Sequence, residues 1–236
     1  MAFAGFDMAR YPGDTAMQSL WESSNLYWVG YYLAVSGPGL SDKRTWSGKY
    51  KFLRGVGWGV APIYVGKQPS SKKLELKRGT EEMEGYLDGV EAAGLADQEG
   101  MPNQCVLYFD LEVPTGSKPW MNYYLGWAKA ILDQGYQPGL YGSFLTARSI
   151  VGFLRERDPR TVPQIWVFNL QKFPGHQSYK DINEIPSPDP NIGVGGATCW
   201  QFVQGSKIAW PGHLLSPVDF NSSVYGDPGT CTSPAT

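Results

Sequence analysis

Eight short runs rich in β-branched and aromatic residues recur along the chain, and helical or irregular stretches separate them. The runs cover residues 3–9, 26–33, 59–65, 105–113, 138–143, 164–170, 198–203 and 218–224. Stretches of helical composition lie between the later runs, at 80–96, 120–133 and 146–157. Glu81, Glu82 and Glu84 open the first of these, where the helix dipole favours acids. Gly135 follows the second, as a glycine stop does. Strands that alternate with helices predict a parallel sheet with its helices outside. Eight such strands predict closure. The expected fold is α/β, a single (β/α)8-type TIM barrel, irregular where loops replace helices. A length of 236 residues agrees with the roughly 250 that such a barrel needs. One domain is expected over residues 1–225, and residues 226–236 read as a disordered tail by composition. Residues 173–196 are rich in Pro, Gly and Asp and lack periodicity. A loop of that length is expected to be functional or mobile.

Several function classes drop out. A hydrophobic content of 42% with 18% charged residues is globular. A net charge of −2 argues against nucleic acid as a partner. Lys67, Lys72, Lys73, Lys77 and Arg78 read as a solvated loop and helix start. Cys105, Cys199 and Cys231 have no metal-site spacing. The first two fall in strand-like runs as buried thiols, and the third falls in the tail. No apolar run reaches membrane-spanning length, so no membrane partner is expected. The first residues lack the basic and apolar regions of a secretory signal. The only histidines are His176 and His213, and no G-x-S-x-G, H-E-x-x-H or C-x-x-C occurs. A Ser-His-Asp hydrolase and a zinc site are therefore poorly supported. Gly193-Val194-Gly195-Gly196 lacks the context of a phosphate loop. Asn221-Ser222-Ser223 fits a glycosylation sequon, a pattern common by chance.

The acids carry the chemistry. Asp110 and Glu112 end the run Val106-Leu107-Tyr108-Phe109-Asp110-Leu111-Glu112. Residues two apart on a strand share a face. Burying unpaired charge is costly, so a strand ending in two same-facing acids points to a site. Paired carboxylates suit acid/base chemistry on glycosidic bonds. A salt-bridged strand end is the plainer alternative. Asp7 ends the first run and Asp219 lies in the last. In a parallel barrel all strand C-termini open on one face, and the first and eighth strands are neighbours. Asp7, Asp110, Glu112 and Asp219 are therefore expected to converge. Crowded like charges raise at least one pKa and keep an acid protonated near neutrality.

These pieces resemble a known family. Gly5-Phe6-Asp7, the V-G-x-Y-L-like run at 26–33, Phe109-Asp110-Leu111-Glu112, Gly139-Leu140-Tyr141-Gly142-Ser143, Gln164-Ile165-Trp166-Val167, Cys199-Trp200-Gln201-Phe202 and Pro217-Val218-Asp219-Phe220-Asn221 occur in order. The ordered set resembles the glycoside hydrolase family 25 lysozymes (N-acetylmuramidases) and, more closely, a related bacterial glycoside-hydrolase-like domain. The resemblance implies cleavage of a β-1,4 bond in peptidoglycan or a related N-acetylated polysaccharide. It implies Glu112 as general acid. Asp110 would orient the substrate's 2-acetamido group or activate water, and Asp7 and Asp219 would tune Glu112 and hold substrate. Phe202 stands where the lysozymes often have tyrosine, Asn169 where they often have an aromatic residue, and residues 173–196 have no counterpart.

Nine tryptophans suit sugar stacking as well as core packing. Candidate substrate contacts are Arg10, Tyr64, Tyr141, Trp166, Trp200 and Gln201. No cofactor or metal is expected. The expected partner is a polysaccharide substrate, met by a monomer that is extracellular or directed to the cell wall, with cytoplasmic storage or non-classical export as the alternatives in the absence of a signal. Two other readings stand beside the hydrolase. One is a non-catalytic glycan-binding barrel that keeps the acids for hydrogen bonds. The other is a calcium or magnesium site built from the same four carboxylates.

Overall fold

The computed structural model describes residues 2–33, 45–68, 76–112, 116–169, 178–179, 181–190 and 194–232. In chain order the elements are β1 (Phe3–Asp7), α1 (Asp14–Ser23), β2 (Leu26–Tyr32), α2 (Tyr50–Val56), β3 (Gly59–Val65), α3 (Glu81–Glu99), β4 (Val106–Asp110), α4 (Lys118–Asp133), β5 (Gln137–Ser143), α5 (Phe144–Arg157), a 3₁₀ turn (Pro159–Thr161), β6 (Gln164–Phe168), β7 (Ser178–Tyr179), β8 (Ala197–Trp210) and β9 (His213–Ser223). The first six strands pair in parallel and in order, β8 joins β6, and β9 closes the ring onto β1. The fold is an irregular α/β barrel of eight strands, with the short β7 outside the ring.

The ring is not wholly parallel. β9 runs antiparallel to both β8 and β1. Trp210-Pro211-Gly212-His213 turns the chain directly from β8 into β9, and a connection that short can only join antiparallel strands. Asp219 therefore does not end its strand. It stands mid-strand and pairs with Asp7 in register, because β9 crosses the mouth in the opposite direction.

Two apolar layers follow from strand alternation. Trp28, Ala61, Ile63, Val106, Tyr108, Trp166 and Cys199 fill the barrel interior. A larger outer core joins the strands to the helices. Gly30 makes room for the interior rings. A Cβ there would lie 2.5 Å from Asp7 Cβ, 2.9 Å from Ile63 Cδ1 and 3.3 Å from Trp166 Cη2. Helices α1 and α2 were not expected from the periodicity. α1 buries only Ala16, Met17 and Leu20, and α2 only Tyr50 and Leu53, stripes too narrow to stand out in sequence.

The long segment before β8 is structural where it is described. β7 pairs in parallel with Lys207 and Ile208 of β8. Further on, Asn25 donates to the Ile185 carbonyl (2.9 Å) and Ile182 and Ile185 are buried. Trp210, near the β8–β9 turn, donates its indole N–H to Ser19 of α1 (2.9 Å). This hairpin covers barrel surface that a crossover helix would otherwise cover.

Of the expected tail at 226–236, residues 233–236 lie outside the described residues. Through residue 232 it packs across the N-terminal end of the barrel. Val106 N–H donates to Gly229 O (2.7 Å), Gly229 N–H to Val60 O (2.9 Å) and Tyr108 OH to Pro228 O (3.3 Å). Asp227 is buried. Cys231 packs against the interior cluster, and Cys105 and Cys199 are buried free thiols. Among the described residues, no helix is long and apolar enough to cross a membrane.

Candidate active site

At the opposite end of the barrel the interior rings support a layer of polar groups. Trp166 forms the floor. Its ring centroid lies 5.1 Å from Tyr141, 5.2 Å from Trp28 and 5.6 Å from Tyr108, each pair near edge-to-face. The Trp166 indole can only donate, and it donates to Asn221 Oδ1 (3.0 Å). That contact orients the Asn221 amide, so its Nδ2 donates to Asp7 Oδ2 (2.8 Å). Tyr32 OH donates to Asp7 Oδ1 (3.0 Å). From β5, Tyr141 OH donates to Gln201 Oε1 on β8, and Gln201 Nε2 donates to Asp219 Oδ2 on β9 (3.1 Å). Gly205 N–H completes Asp219 (2.6 Å).

The carboxyls are crowded and carry no ion pair among the described residues. Burial pushes Asp7 up to about 7, and the charge of Asp219 adds to the rise. Burial likewise raises Asp110 to about 8, with Glu112 and then Asp7 as the neighbouring charges. Burial also raises Asp219, with Glu112 acting in the same direction. Among the described residues, Asp110 Oδ1 is a buried atom without a hydrogen-bond partner. Leaving a buried polar group unmatched costs about 1–3 kcal/mol. A neutral carboxyl lowers that cost, which is the physical origin of the raised pKa. Asp7 and Asp219 titrate as a pair rather than singly.

Above this layer is a cavity of about 410 Å³, lined by Glu112, Tyr141, Ser143, Thr146, Phe168, Gln201 and Gln204. Glu112 is exposed there, while Asp110 stands behind it. Ser143, at the end of β5, caps α5 by accepting from Thr146 N–H (3.1 Å). The cavity therefore opens beside a helix N-terminus.

Asp7, Asp110, Glu112 and Asp219 act electrostatically on one another, as their convergence predicts. Of the four, Glu112 lies on the cavity wall, and Tyr141 and Gln201 join it there. The other expected substrate contacts do not. Tyr64 points outward and donates to Glu91 of α3 (2.8 Å). Trp200 also points outward and donates to Asn169 O (3.3 Å). Each is one residue out of phase with the inward-facing side chains of its strand. Trp166 faces inward but is fully buried as the floor. Arg10 is exposed after β1 and joins none of the ion pairs among the described residues. Asn221 is fully buried, so the sequon around it has no open acceptor. Lys67 pairs with Glu84, and Lys72 and Lys73 lie outside the described residues. Tyr32, Asn221 and Gln204 were not foreseen as site residues. For Asn221 the signal was available: it stands two residues from Asp219, the spacing that links Asp110 to Glu112.

The sequence model of the Rv2525c-like, glycoside hydrolase-like domain matches residues 19–221. The chain belongs to this family. Solved structures share the fold of this glycoside hydrolase-like chain. One is a protein of B. stearothermophilus described as uncharacterized, at 19% identity and a TM-score of 0.64, with 93% of this chain and 94% of that one covered. Another is the Tat-secreted protein Rv2525c of Mycobacterium tuberculosis, crystallised with HEPES, at 14% identity, a TM-score of 0.57 and coverage of 98% and 97%. A third is a family 25 glycosyl hydrolase of Bacillus anthracis, at 14% identity, a TM-score of 0.55 and coverage of 94% and 88%. No curated protein sequence matches the chain. At these identities the structural likeness is one of fold. Among the described residues, no three His, Cys, Asp or Glu side chains form a group able to hold a metal ion.

Proposed function

We propose that the protein is a glycoside hydrolase that cleaves β-1,4 bonds in peptidoglycan or a related N-acetylated polysaccharide, outside the cell or at its wall. The observation that carries this reading is the unneutralised carboxyl set beside a polar cavity, with one exposed member, Glu112, and one half-buried member, Asp110, raised to about 8. Family membership and a fold shared with a family 25 glycosyl hydrolase support it. Glu112 is the carboxyl that faces the cavity, so it delivers the proton to the leaving oxygen. Asp110 holds a proton through neutrality and orients the 2-acetamido group. The charge of Asp7 helps to keep Asp110 protonated, and Asp219 does the same for Asp7. Tyr141 and Gln201 contact the sugar from the wall.

The second reading, a glycan-binding barrel without turnover, rests on the same cavity. It leaves the electrostatic cost of the carboxyl set without a use. Reducing-end release from purified peptidoglycan and from chitin oligomers separates the two. Glu112→Gln is expected to lose about 10²–10⁴-fold in turnover and to retain glycan binding. Turnover unchanged in that variant removes Glu112 as the acid. Binding without turnover in the wild type, on every glycan tried, selects the binding barrel.

A further inference from the structure

Same-face projection of Asp110 and Glu112 requires extended backbone from one to the other, yet β4 ends at Asp110. Its ladder with β3 also ends there, at the Val65–Asp110 pair. Beyond that pair, the edge of the chain that faced β3 still offers the Asp110 carbonyl and the Glu112 N–H. Both are met by one side chain. Gln68 Nε2 donates to Asp110 O (2.6 Å), and Gln68 Oε1 accepts from Glu112 N–H (3.3 Å). A primary amide carries one donor side and one acceptor side, as a peptide group does. The Gln68 side chain thus stands in for the next peptide of β3 and extends the ladder by one step. On the other edge, Leu111 N–H donates to Tyr141 O (2.9 Å). The three contacts clamp residues 110–112 from both sides.

We propose that Gln68 is a positioning residue for the acid pair: its amide holds the Asp110–Glu112 backbone extended and so keeps Glu112 over the cavity beside Asp110. This rests on the glycosidase reading for its catalytic consequence, but the backbone clamp itself does not. No residue with a single polar function replaces it. Glutamate lacks the donor for Asp110 O, methionine lacks both functions, and asparagine is one methylene short. Misplacing a reacting group by about 1 Å costs on the order of 10²-fold in rate.

The test compares wild type with Gln68→Met and Gln68→Glu. Three quantities are read: amide hydrogen exchange at Glu112 by NMR, the melting temperature, and kcat and KM on the best glycan substrate. In Gln68→Met the Glu112 amide is expected to exchange at least tenfold faster. The melting temperature stays within about 3 °C, since one partly exposed hydrogen-bond pair is lost. The kcat falls roughly 10–100-fold with KM within about threefold. Gln68→Glu keeps the acceptor, so Glu112 exchange stays nearer wild type than in Gln68→Met. Unchanged Glu112 exchange in Gln68→Met overturns the clamp. Faster exchange with unchanged kcat overturns its role in catalysis. If the wild type turns over no glycan, the hydrolase reading fails while the exchange data still decide the clamp.

Discussion

Asp7 and Asp227 are equally buried, each 5% exposed, at opposite ends of one barrel. Their surroundings differ in kind. Asp227 faces the Arg54 guanidinium at 2.7 Å, accepts from Val60 N–H at 3.0 Å and accepts from Thr230 OH at 2.7 Å. It ties the chain terminus to the start of β3. Among the described residues, Asp7 accepts only from a phenol and a side-chain amide, and its charged neighbour is another carboxyl. The closed end has what a stable fold does with a buried acid: a cation and donors around it. The open end gathers acids without a cation, and burial raises Asp7, Asp110 and Asp219 there despite the donors that Asp7 and Asp219 have. Conflict of that kind concentrates at functional sites.

The largest expected effect breaks the closed end. Asp227→Ala removes the partner of Arg54, the acceptor for Val60 N–H and the anchor of Thr230 together. A loss of about 2–4 kcal/mol in unfolding free energy is expected, allowing for the partial exposure of Arg54. Urea titration measures it. Turnover per folded molecule stays near wild type, because the cavity lies at the other end. A variant as stable as wild type would show that the terminus only rests on the barrel.

The mouth responds in the opposite direction. Asp110 is raised to about 8 in the folded protein, against about 3.9 in an unfolded chain. Between those values the folded state binds more protons than the unfolded state, so stability falls as pH rises. The contribution of the neutral carboxyl is complete below about pH 4 and is lost as pH climbs through 8. Asp7, raised to about 7, adds a decline in the same window. Asp110→Asn keeps the shape and removes the titration. It is expected to match wild type near pH 4 and to exceed it at pH 9 by at least the roughly 1.4 kcal/mol that one pKa unit is worth, the partial exposure of Asp110 discounting the full rise. Denaturation midpoints at the two pH values decide it. A variant less stable than wild type at pH 9 would mean that ionised Asp110 has a cationic or donor partner.

How much of this contrast was legible in sequence differs between the two ends. The acids at the mouth follow from a period of two, which any strand obeys, so Asp110 and Glu112 declare a shared face before any fold is known. Tyr64 and Trp200 could not be placed the same way. Barrel strands are apolar on both faces, so the alternation that marks inside from outside vanishes. Only register settles it: Tyr64 pairs with Phe109 and Val65 with Asp110, which puts Tyr64 outside. The direction of β9 was legible in principle, since Pro211-Gly212 between two apolar runs is a turn signal. The closed end was illegible because Pro228 and Gly229 hold through main-chain atoms, which composition does not encode. A Gly- and Pro-rich terminus reads alike whether it is free or paired.

The smallest expected effect tests whether the mouth is left without a cation. A calcium or magnesium site needs deprotonated ligands. Bound metal would hold Asp7, Asp110 and Asp219 ionised, so it would pull their titration down and reverse the pH trend above. The carboxyl set proposed for acid catalysis must do the reverse and keep protons near neutrality. Its rate is expected to fall as pH rises past about 8, where Asp110 loses its proton. At pH 7.5, excess chelator or millimolar calcium is expected to move the melting temperature by less than about 1 °C and to leave turnover unchanged. A cation at a hundred times its dissociation constant would stabilise by about 2.7 kcal/mol, a shift of roughly 5–10 °C for a domain of this size. A rise of that order with calcium, abolished by Asp110→Asn, would make the mouth a cation site neutralised by an ion as Asp227 is by Arg54. The two ends of the barrel would then obey one rule.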